Sequence, residues 1–347
     1  MKKILTAISD KYSIDPITLV DIGARWGVQR PWNNFPEQSL RYYGFDADVE
    51  ECARLNAANK LNHSVVYLPA ALFDKESEET LYLTAEEGCS SIYKPNEHIL
   101  NRYFFRENWR VKREIRVTTT TLKNVFSKNQ INPDFLKIDT QGAELNILRG
   151  AADSLDSVIG LELEVEFIEA YKGQPLFSDI DSFVRAKGFE LFDLNRYWAN
   201  RFNTSKRHLN RGQLVFGDAV YFRTPDSFYS LNISPELRKE KLLKMVLILS
   251  LYGFFDSAAA YVDHESSPLN TVEKSALVEV LLAESEFPAW HRILFDNRVA
   301  AKLGRFVKMF GNLLSFSLNT YGWGTDYNGV DGRFPYFRKE GKYFRKS

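Results

Sequence analysis

Up to about residue 225, the chain alternates short apolar runs with amphipathic segments. The segments 49–59, 143–149 and 177–187 have the apolar spacing of helices, and Gly150 is expected to stop the second of them. The apolar runs predict strands at residues 18–22, 41–46, 64–68, 135–139, 158–167, 189–192, 214–216 and 219–222. Strands that alternate with helices predict an α/β fold, with a doubly wound, mostly parallel sheet that is covered on both faces.

Two insertions interrupt this pattern, near residues 81–116 and 195–212, and the first is expected to contain a hairpin. After Thr224 and Pro225 the pattern changes to helical periods such as PELRKEKLLKMV and TVEKSALVEVLLAE. We therefore predict an α/β domain with a short N-terminal helix over residues 1–224. Residues 225–347 are predicted to form a mainly helical region with a basic tail, which is open to a protein partner.

The charges of the chain are balanced, with 45 Lys and Arg residues against 45 Asp and Glu residues. A balanced chain has no general attraction to nucleic acid, so no nucleic-acid partner is expected. Cys52 and Cys89 are too few for a disulfide framework and fit a reducing compartment. The longest apolar stretch, residues 245–255, is too short to cross a bilayer. We therefore expect a cytoplasmic protein without a transmembrane segment.

The stretch VDIGARWG ends a predicted strand on Asp21 and then turns through Gly23 and Gly27. This G-x-x-x-G spacing differs from the G-x-G-x-x-G turn that cradles a pyrophosphate, so a ligand without a diphosphate is favoured. The second strand ends on Asp46, where a carboxylate can accept hydrogen bonds from both hydroxyls of a ribose. These features indicate an adenosine-type cofactor. The alternative is two ordinary loop glycines and a helix N-terminal acid.

Carboxylates accumulate in two later stretches, FLKIDTQGAELNILRG and LELEVE. Because an unpaired buried carboxylate is costly, Asp139 is expected at the mouth of the sheet or in a pair. In LELEVE the acids alternate with apolar residues, so they share one face of the strand. The strand is either a half-exposed edge or a central strand that puts Glu164 and Glu166 into a cleft, and we favour the second.

Several stretches together resemble the FkbM-type methyltransferases over residues 17–223. These are VDIGARWG, YGFDAD, Ala70-Ala71-Leu72, Ser90-Ser91-Ile92, FLKIDTQGAELNILRGA, LEVEFIEAYKGQPLFSDI, GFELFDL and GDAVYF. The resemblance implies a class I, Rossmann-like fold and S-adenosylmethionine-dependent O-methylation of a sugar or related hydroxyl. It implies a set of cofactor contacts: Asp21, Gly23, Ala24 and Gly27 at the methionine end, Asp46 at the ribose, Ala70 and Ala71 at the adenine, and Asp139 beside the methyl group.

The chain departs from the family pattern at two positions. Gln141 stands where many members have Glu, which removes a base from that position. Lys123, in TTTLKNV, replaces an acid. These departures leave open a scaffold protein that binds the cofactor without turnover. A nucleotide-dependent oxidoreductase is a further alternative, although the missing G-x-G-x-x-G motif disfavours it.

Methyl transfer to a hydroxyl requires a group that receives the proton, and the candidates are Asp139, Glu164 and Glu166. The same carboxylates are oxygen ligands for a divalent cation, and the sequence leaves both roles open. The histidines show no metal-ligand spacing; they are His63, His98, His208, His264 and His291.

The acceptor is expected to be a sugar, a glycan or a nucleotide- or lipid-linked sugar. Aromatic faces beside Arg and Asn donors suit a sugar ring or its phosphate, and both insertions are rich in such residues. The predicted substrate contacts are Ser90, Ser91, Arg196, Trp198 and His208.

Overall fold

The computed structural model describes residues 2–59, 62, 64–202 and 212–285. Within this part, ten strands form a large and a small sheet. The strands are β1 (Ile17–Ile22), β2 (Leu40–Asp46), β3 (Val65–Pro69), β4 (Ala71–Leu72), β5 (Glu78–Thr84), β6 (Val111–Thr120), β7 (Phe135–Ile138), β8 (Gly160–Glu166), β9 (Phe189–Ala199) and β10 (Gln213–Arg223).

The large sheet has seven strands in the order β3-β2-β1-β7-β8-β10-β9. Neighbours from β3 to β8 are parallel, and β10 runs antiparallel between β8 and β9. The predicted doubly wound, mostly parallel α/β sheet is confirmed. Because β1, β2 and β7 are parallel neighbours, their carboxyl ends meet at one edge of the sheet, where such folds bind ligands.

Helices cover both faces of this sheet. In β1, Leu19 belongs to a core cluster with helix residues such as Leu242, whereas Val20 belongs to a second cluster with residues such as Ile147. This alternation is the period-two pattern of a strand buried on both faces. The helices are α1 (Lys2–Ser9), α2 (Val49–Ala58), α3 (Glu97–Leu100), α4 (Leu122–Asn129), α5 (Glu144–Ala151), α6 (Phe177–Ala186), α7 (Pro225–Tyr229), α8 (Pro235–Leu251), α9 (Phe255–Asp263) and α10 (Thr271–Ser285).

Parts of both predicted insertions belong to strands. Around the first, β5 and β6 pair antiparallel and enclose residues 85–110, in a small sheet with the order β4-β6-β5. The second was predicted to start at residue 195, but β9 continues to Ala199 and pairs with β10, with register shifts at Leu214/Phe216 and Val220/Tyr221. The segment NRYWA extends the sheet because backbone pairing at its edge tolerates polar side chains.

Gly150 does not end α5, which continues to Ala151. A Cβ atom at this position would lie 2.4 Å from the carbonyl oxygen of Phe73. The glycine therefore allows the backbone after β4 to pass close to the helix. The sequence alone does not distinguish a glycine with this packing role from one that ends a helix.

Helices α8, α9 and α10 share the hydrophobic core of the sheet. The centroid of the Phe135 ring, on β7, lies 5.0 Å from the ring centroid of Trp32 and 5.6 Å from that of Tyr252, which follows α8. The boundary predicted near residue 225 therefore separates two chain segments that pack against each other. The apolar stretch 245–255 includes the buried end of α8, and no helix in the described ranges is long and apolar enough to cross a membrane.

A buried ionic cluster holds α8 at the opposite edge of the sheet. Asp134, just before β7, accepts hydrogen bonds from the Nζ atoms of Lys241 at 2.9 Å and Lys244 at 3.0 Å. Its carboxylate also accepts from the backbone N–H of Thr18 at 2.9 Å. All three charged side chains are buried, so their charges depend on one another for stabilisation.

Candidate functional site

The glycine turn after β1 is pressed against the end of β7. Gly23 has φ +85°, and a Cβ atom there would lie 1.9 Å from the carbonyl oxygen of Asp139. Its N–H donates to the carbonyl of Phe45 at 2.8 Å, and the N–H of Asp139 donates to the carbonyl of Ile22 at 2.9 Å. Only glycine fits this contact, which joins the ends of three strands in one platform.

A cleft of about 630 Å³ lies above this platform, and we call it the long cleft. Seven of the predicted site residues line it: Gly23, Asp46, Ala70, Ala71, Ser90, Ser91 and Asp139. They come from the ends of β1, β2, β3 and β7, from the start of β4 and from the first insertion. The structure thus brings the two predicted ends of a nucleoside site to one surface.

One of the two acids at and just after the end of β2 caps helix α2 and the other lines the long cleft, and the sequence did not show which is which. Asp48 is the N-cap of α2, because its Oδ1 accepts from the backbone N–H groups of Glu50 and Glu51. The Asp46 carboxylate accepts from the backbone N–H of Asp48 at 2.8 Å and lines the long cleft. Burial raises the pKa of Asp46, while the nearby Arg25 guanidinium lowers it. The helix-capping alternative therefore applies to Asp48.

Three predicted cofactor residues, Asp21, Ala24 and Gly27, do not line the long cleft. The Asp21 carboxylate is buried and accepts from Tyr42 Oη at 2.8 Å and Lys137 Nζ at 3.3 Å. Gly27 has φ +76°, and a Cβ there would lie 3.2 Å from the Tyr67 hydroxyl oxygen. Asp21 and Gly27 make these contacts outside the long cleft. Direct contact of the three residues with a cofactor stays a prediction.

Ion pairs between residues that line the long cleft were not anticipated from the sequence. Arg25 Nη2 donates to Glu87 Oε2 at 2.7 Å and to Asp48 Oδ2 at 3.2 Å. Glu87 belongs to the first insertion, so this contact joins that insertion to the glycine turn. The sequence offered no signal for it, because the two segments are far apart in the chain.

A second cavity of about 230 Å³ adjoins the long cleft, and we call it the aromatic cavity. Gly88, Asp139 and Gln141 line both spaces, so the two meet at the end of β7. The aromatic cavity is walled by rings and closed on one side by carboxyl groups. Its ring-bearing residues are Phe105, Trp109, Tyr171, Tyr197 and Phe216, and its carboxyl groups belong to Asp139, Glu164 and Glu166.

The carboxyl groups lie there because β8 is a central strand. It pairs with β7 on one side and β10 on the other, and all seven of its residues are buried. Glu162 is opposite Lys137 in register and accepts from Tyr252 Oη at 2.5 Å, beneath the cavity. Glu164 and Glu166 follow on the same face towards the carboxyl end. The edge-strand alternative for LELEVE is therefore wrong.

Gln141 organises this carboxyl wall. Its Nε2 donates to Asp139 Oδ1 at 3.1 Å and to a carboxylate oxygen of Glu164. Its Oε1 accepts from Tyr171 Oη at 2.9 Å, and its own φ is +61°. An amide can donate to both acids, whereas the Glu expected from the family pattern would add a further acceptor. The departure at this position has a structural reason.

Burial raises the pKa of Glu164 well above its usual range, and Asp139 and Glu166 add to the effect by charge repulsion. Burial likewise raises the pKa of Glu166 well above its usual range, with Glu144 and Asp139 as the next contributors. The raised pKa values favour the protonated form of both glutamates, in which they are hydrogen-bond donors beside Asp139.

The predicted substrate residues fall in three places. Ser91 lines the long cleft beside Ser90, and its hydroxyl donates to the backbone carbonyl of Gln141 at 2.7 Å. Arg196 and Trp198 line neither space, and the Arg196 guanidinium lies 5.3 Å from the Trp198 ring. Their neighbour Tyr197 lines the aromatic cavity instead, because side chains alternate along β9. His208 lies outside the described residues.

Metal binding finds no support in the described ranges. They contain no group of three or more His, Cys, Asp or Glu side chains that could hold a metal ion. His98 contacts Arg102, and His264 accepts from the N–H of Ser266. His63 and His291, like His208, are outside the described residues.

Solved structures resemble this chain only distantly. TrmK of M. capricolum, in complex with S-adenosyl-homocysteine, is 6% identical, with 82% of this chain and 97% of that chain covered and a TM-score of 0.31. The METTL16 MTase domain is 9% identical, with 64% and 65% covered and a TM-score of 0.32. Precorrin-6y C5,15-methyltransferase from Geobacter metallireducens GS-15 is 11% identical, with 64% and 88% covered and a TM-score of 0.29.

A search of curated proteins found no match. The family comparison is more specific, since the model described as the methyltransferase FkbM domain matches residues 21–191. That range contains the glycine turn, Asp46, Asp139 and the carboxyl strand β8. The seven-stranded sheet has the doubly wound, mostly parallel form expected of a class I methyltransferase. Residues 21–191 of this chain belong to the FkbM methyltransferase domain family.

Proposed function

We propose that this protein transfers a methyl group from S-adenosylmethionine to a hydroxyl of a sugar or glycan. The observation that carries the proposal is the position of Asp139 and Gln141, which line both the long cleft and the aromatic cavity. A cofactor in the first space and an acceptor in the second would meet at Asp139. Methyl transfer requires this proximity, because the acceptor oxygen must approach the methyl carbon in line.

The long cleft suits the nucleoside of S-adenosylmethionine. Asp46 is placed to accept from the ribose hydroxyls, and Ala70 and Ala71 offer small apolar surfaces for adenine. The Gly23 contact keeps the cleft floor free of side-chain atoms. When bound, the cofactor supplies an electrophilic methyl group on a positively charged sulfur.

The aromatic cavity suits an uncharged hydroxylated ring. Phe105, Trp109 and Tyr171 offer apolar faces on which the C–H face of a sugar packs. Among the described residues that line it, none is Lys, Arg or His, so a phosphate inside the cavity would meet carboxyl groups without a cation. We infer that the ring of a nucleotide- or lipid-linked acceptor enters and that its phosphates stay outside.

Asp139 is the proposed base. Burial raises the pKa values of Glu164 and Glu166, which favours their protonated, hydrogen-bond-donating form. Asp139 is held by Gln141 Nε2 at 3.1 Å, which fixes its carboxylate at the junction of the two spaces. It receives the hydroxyl proton while the protonated glutamates orient the acceptor.

Asp46→Ala is expected to weaken S-adenosylmethionine binding by about 1.5–3 kcal/mol, because two charge-assisted hydrogen bonds to the ribose are lost. Isothermal titration calorimetry on the full chain measures this change. Asp48→Ala is the neighbouring control, which removes a helix cap and lowers stability while leaving the proposed ribose contact. Unchanged affinity in Asp46→Ala would remove this residue from the cofactor site.

Loss of one methyl group from a glycan or sugar nucleotide is expected in cells that lack the protein. Mass spectrometry of these pools, with and without the gene, identifies the acceptor. Re-expression of the wild-type chain should restore the methyl group, and re-expression of Asp139→Asn should not. If methylation of these pools is identical in both cells, the carbohydrate acceptor is refuted; cofactor binding is tested separately by calorimetry.

A further inference from the structure

Asp139 lines both spaces, while Glu164 and Glu166 line the aromatic cavity, whose described lining contains no Lys, Arg or His side chain. Glu164 is 7% exposed and Glu166 is 3% exposed. Buried carboxyl groups without a cation are stable mainly in their neutral form. A ligand that brings its own positive charge would stabilise their ionised form.

Glu166 gives an independent sign that this wall faces a ligand. Its Oε2 is buried and makes no hydrogen bond of ordinary geometry in the described structure, although the neighbouring Gln174 side chain lowers the pKa of Glu166 through a contact with its carboxyl group. Leaving such an atom unsatisfied costs free energy unless a bound molecule or water contacts it. Because Glu166 lines the aromatic cavity, a molecule at this position can provide that contact.

We propose that Asp139, Glu164 and Glu166 distinguish the two forms of the cofactor by charge and so favour release of the used form. S-adenosylmethionine has a positively charged sulfur, which S-adenosylhomocysteine lacks. The carboxyl cluster formed by these three residues holds fewer protons in the complex with S-adenosylmethionine than in the complex with S-adenosylhomocysteine. This inference rests on the proposed function, since it requires the cofactor in the long cleft.

The charge balance of the reaction agrees with this assignment. The hydroxyl proton passes to the carboxyl cluster as the acceptor oxygen bonds to the methyl carbon and the carbon–sulfur bond breaks, leaving its electron pair on sulfur. One positive charge on sulfur and one negative charge on the cluster disappear together. The protonated cluster then faces a neutral product, and deprotonation by solvent prepares it for the next charged cofactor.

The direction of the pH dependence follows from this balance. Burial raises the pKa values of Glu164 and Glu166, and a positive charge nearby lowers them again. The complex with S-adenosylmethionine therefore holds fewer protons than the complex with S-adenosylhomocysteine. Rising pH favours the complex with fewer protons, so the affinity ratio shifts towards S-adenosylmethionine.

Other groups near the cluster titrate or carry charge. Burial raises the pKa of Glu144 to about 7, although its carboxyl accepts from the N–H groups of Thr140 and Gly142 and lines neither space. Burial raises the pKa values of Cys89 and Tyr171, so both stay neutral. Other charged or titratable groups are Tyr197 on β9, Asp218 on β10 opposite Glu164, and Lys137 on β7. Along the long cleft they are Arg25, Asp46, Asp48, Glu50, Glu87, Lys112 and Arg113.

The test is calorimetric titration of the full chain with each cofactor form, between about pH 5.5 and 8.5. The two ligands share their amino and carboxylate groups, so those titrations largely cancel in the ratio of the two dissociation constants. We expect this ratio to favour S-adenosylmethionine increasingly with pH, by up to about tenfold per pH unit. Buffers of different ionisation enthalpy should show that S-adenosylmethionine binding releases up to about one more proton.

Variants assign the effect to the cluster. Glu164→Gln and Glu166→Gln should each flatten the pH dependence of the ratio, because the amide cannot titrate. Glu236→Gln, at an exposed position of α8, is the charge-matched control and should retain it. The inference is overturned if both ligands bind wild-type protein with a constant ratio, or if the dependence survives in both cluster variants. If neither ligand binds, the proposed function itself is refuted.

Discussion

Asp139→Asn is expected to fold normally and bind S-adenosylmethionine, yet to transfer methyl groups about 10²–10⁴-fold more slowly. The amide has nearly the same shape as the carboxylate but cannot receive the hydroxyl proton. Asp139 is the one carboxyl group that lines both the long cleft and the aromatic cavity in the described structure. Turnover of the acceptor identified by methyl loss measures the rate, and calorimetry measures cofactor affinity.

A matched control separates catalysis from general loss of charge. Asp181→Asn removes a half-buried carboxylate on α6 that lines neither space, and its turnover should match the wild type. Thermal unfolding of each variant shows whether the fold is intact. Wild-type turnover by Asp139→Asn would take this residue out of the catalytic role and return the search for a base to Glu164 and Glu166.

Asp134→Asn is expected to lower the free energy of unfolding by about 3–5 kcal/mol. The substitution leaves the buried ammonium groups of Lys241 and Lys244 without the carboxylate that holds them at 2.9 and 3.0 Å. Because both lysines belong to α8, the loss should loosen this helix from the sheet. Chemical denaturation, followed by circular dichroism, measures the change.

The comparison for Asp134→Asn is Glu240→Gln, which breaks the partly exposed pair with Lys244 but leaves Asp134 in place. Its effect should stay below about 1 kcal/mol, as is usual for ion pairs near the surface. Equal stability of Asp134→Asn and the wild type would contradict the ionic docking of α8. Hydrogen exchange in α8 then shows whether apolar packing alone holds the helix.

Strand positions and the cofactor end of the site were accessible from the sequence. The runs that end on Ile22 and Asp46 are strands, and Gly23 and Asp46 line one cleft, as the spacing predicted. Apolar runs and glycine turns are local features, because a strand or a left-handed turn depends on a few neighbouring residues. The same reasoning correctly placed Asp139 at the carboxyl end of β7.

The acceptor side was harder to predict because it depends on which face each side chain takes. Arg196 and Trp198 were expected to contact substrate, whereas Tyr197 between them lines the aromatic cavity. A shift of one residue in a strand reverses the face, and register is set by pairing with β10. From the sequence, Gln141 was recognised only as a departure from the family pattern. Its role in bridging Asp139 and Glu164 could not be predicted, because these two residues come together only when β7 and β8 pair.

By itself, then, the sequence determined the alternation of strands and helices, the glycine turn and the family to which residues 21–191 belong. Only the tertiary structure decided that β8 is central, that α8 packs on the sheet and that Asp21 is buried against Lys137. The reason is physical: backbone preference and apolar period are carried by adjacent residues. Burial, pairing and pKa shifts arise only where distant segments exclude water together.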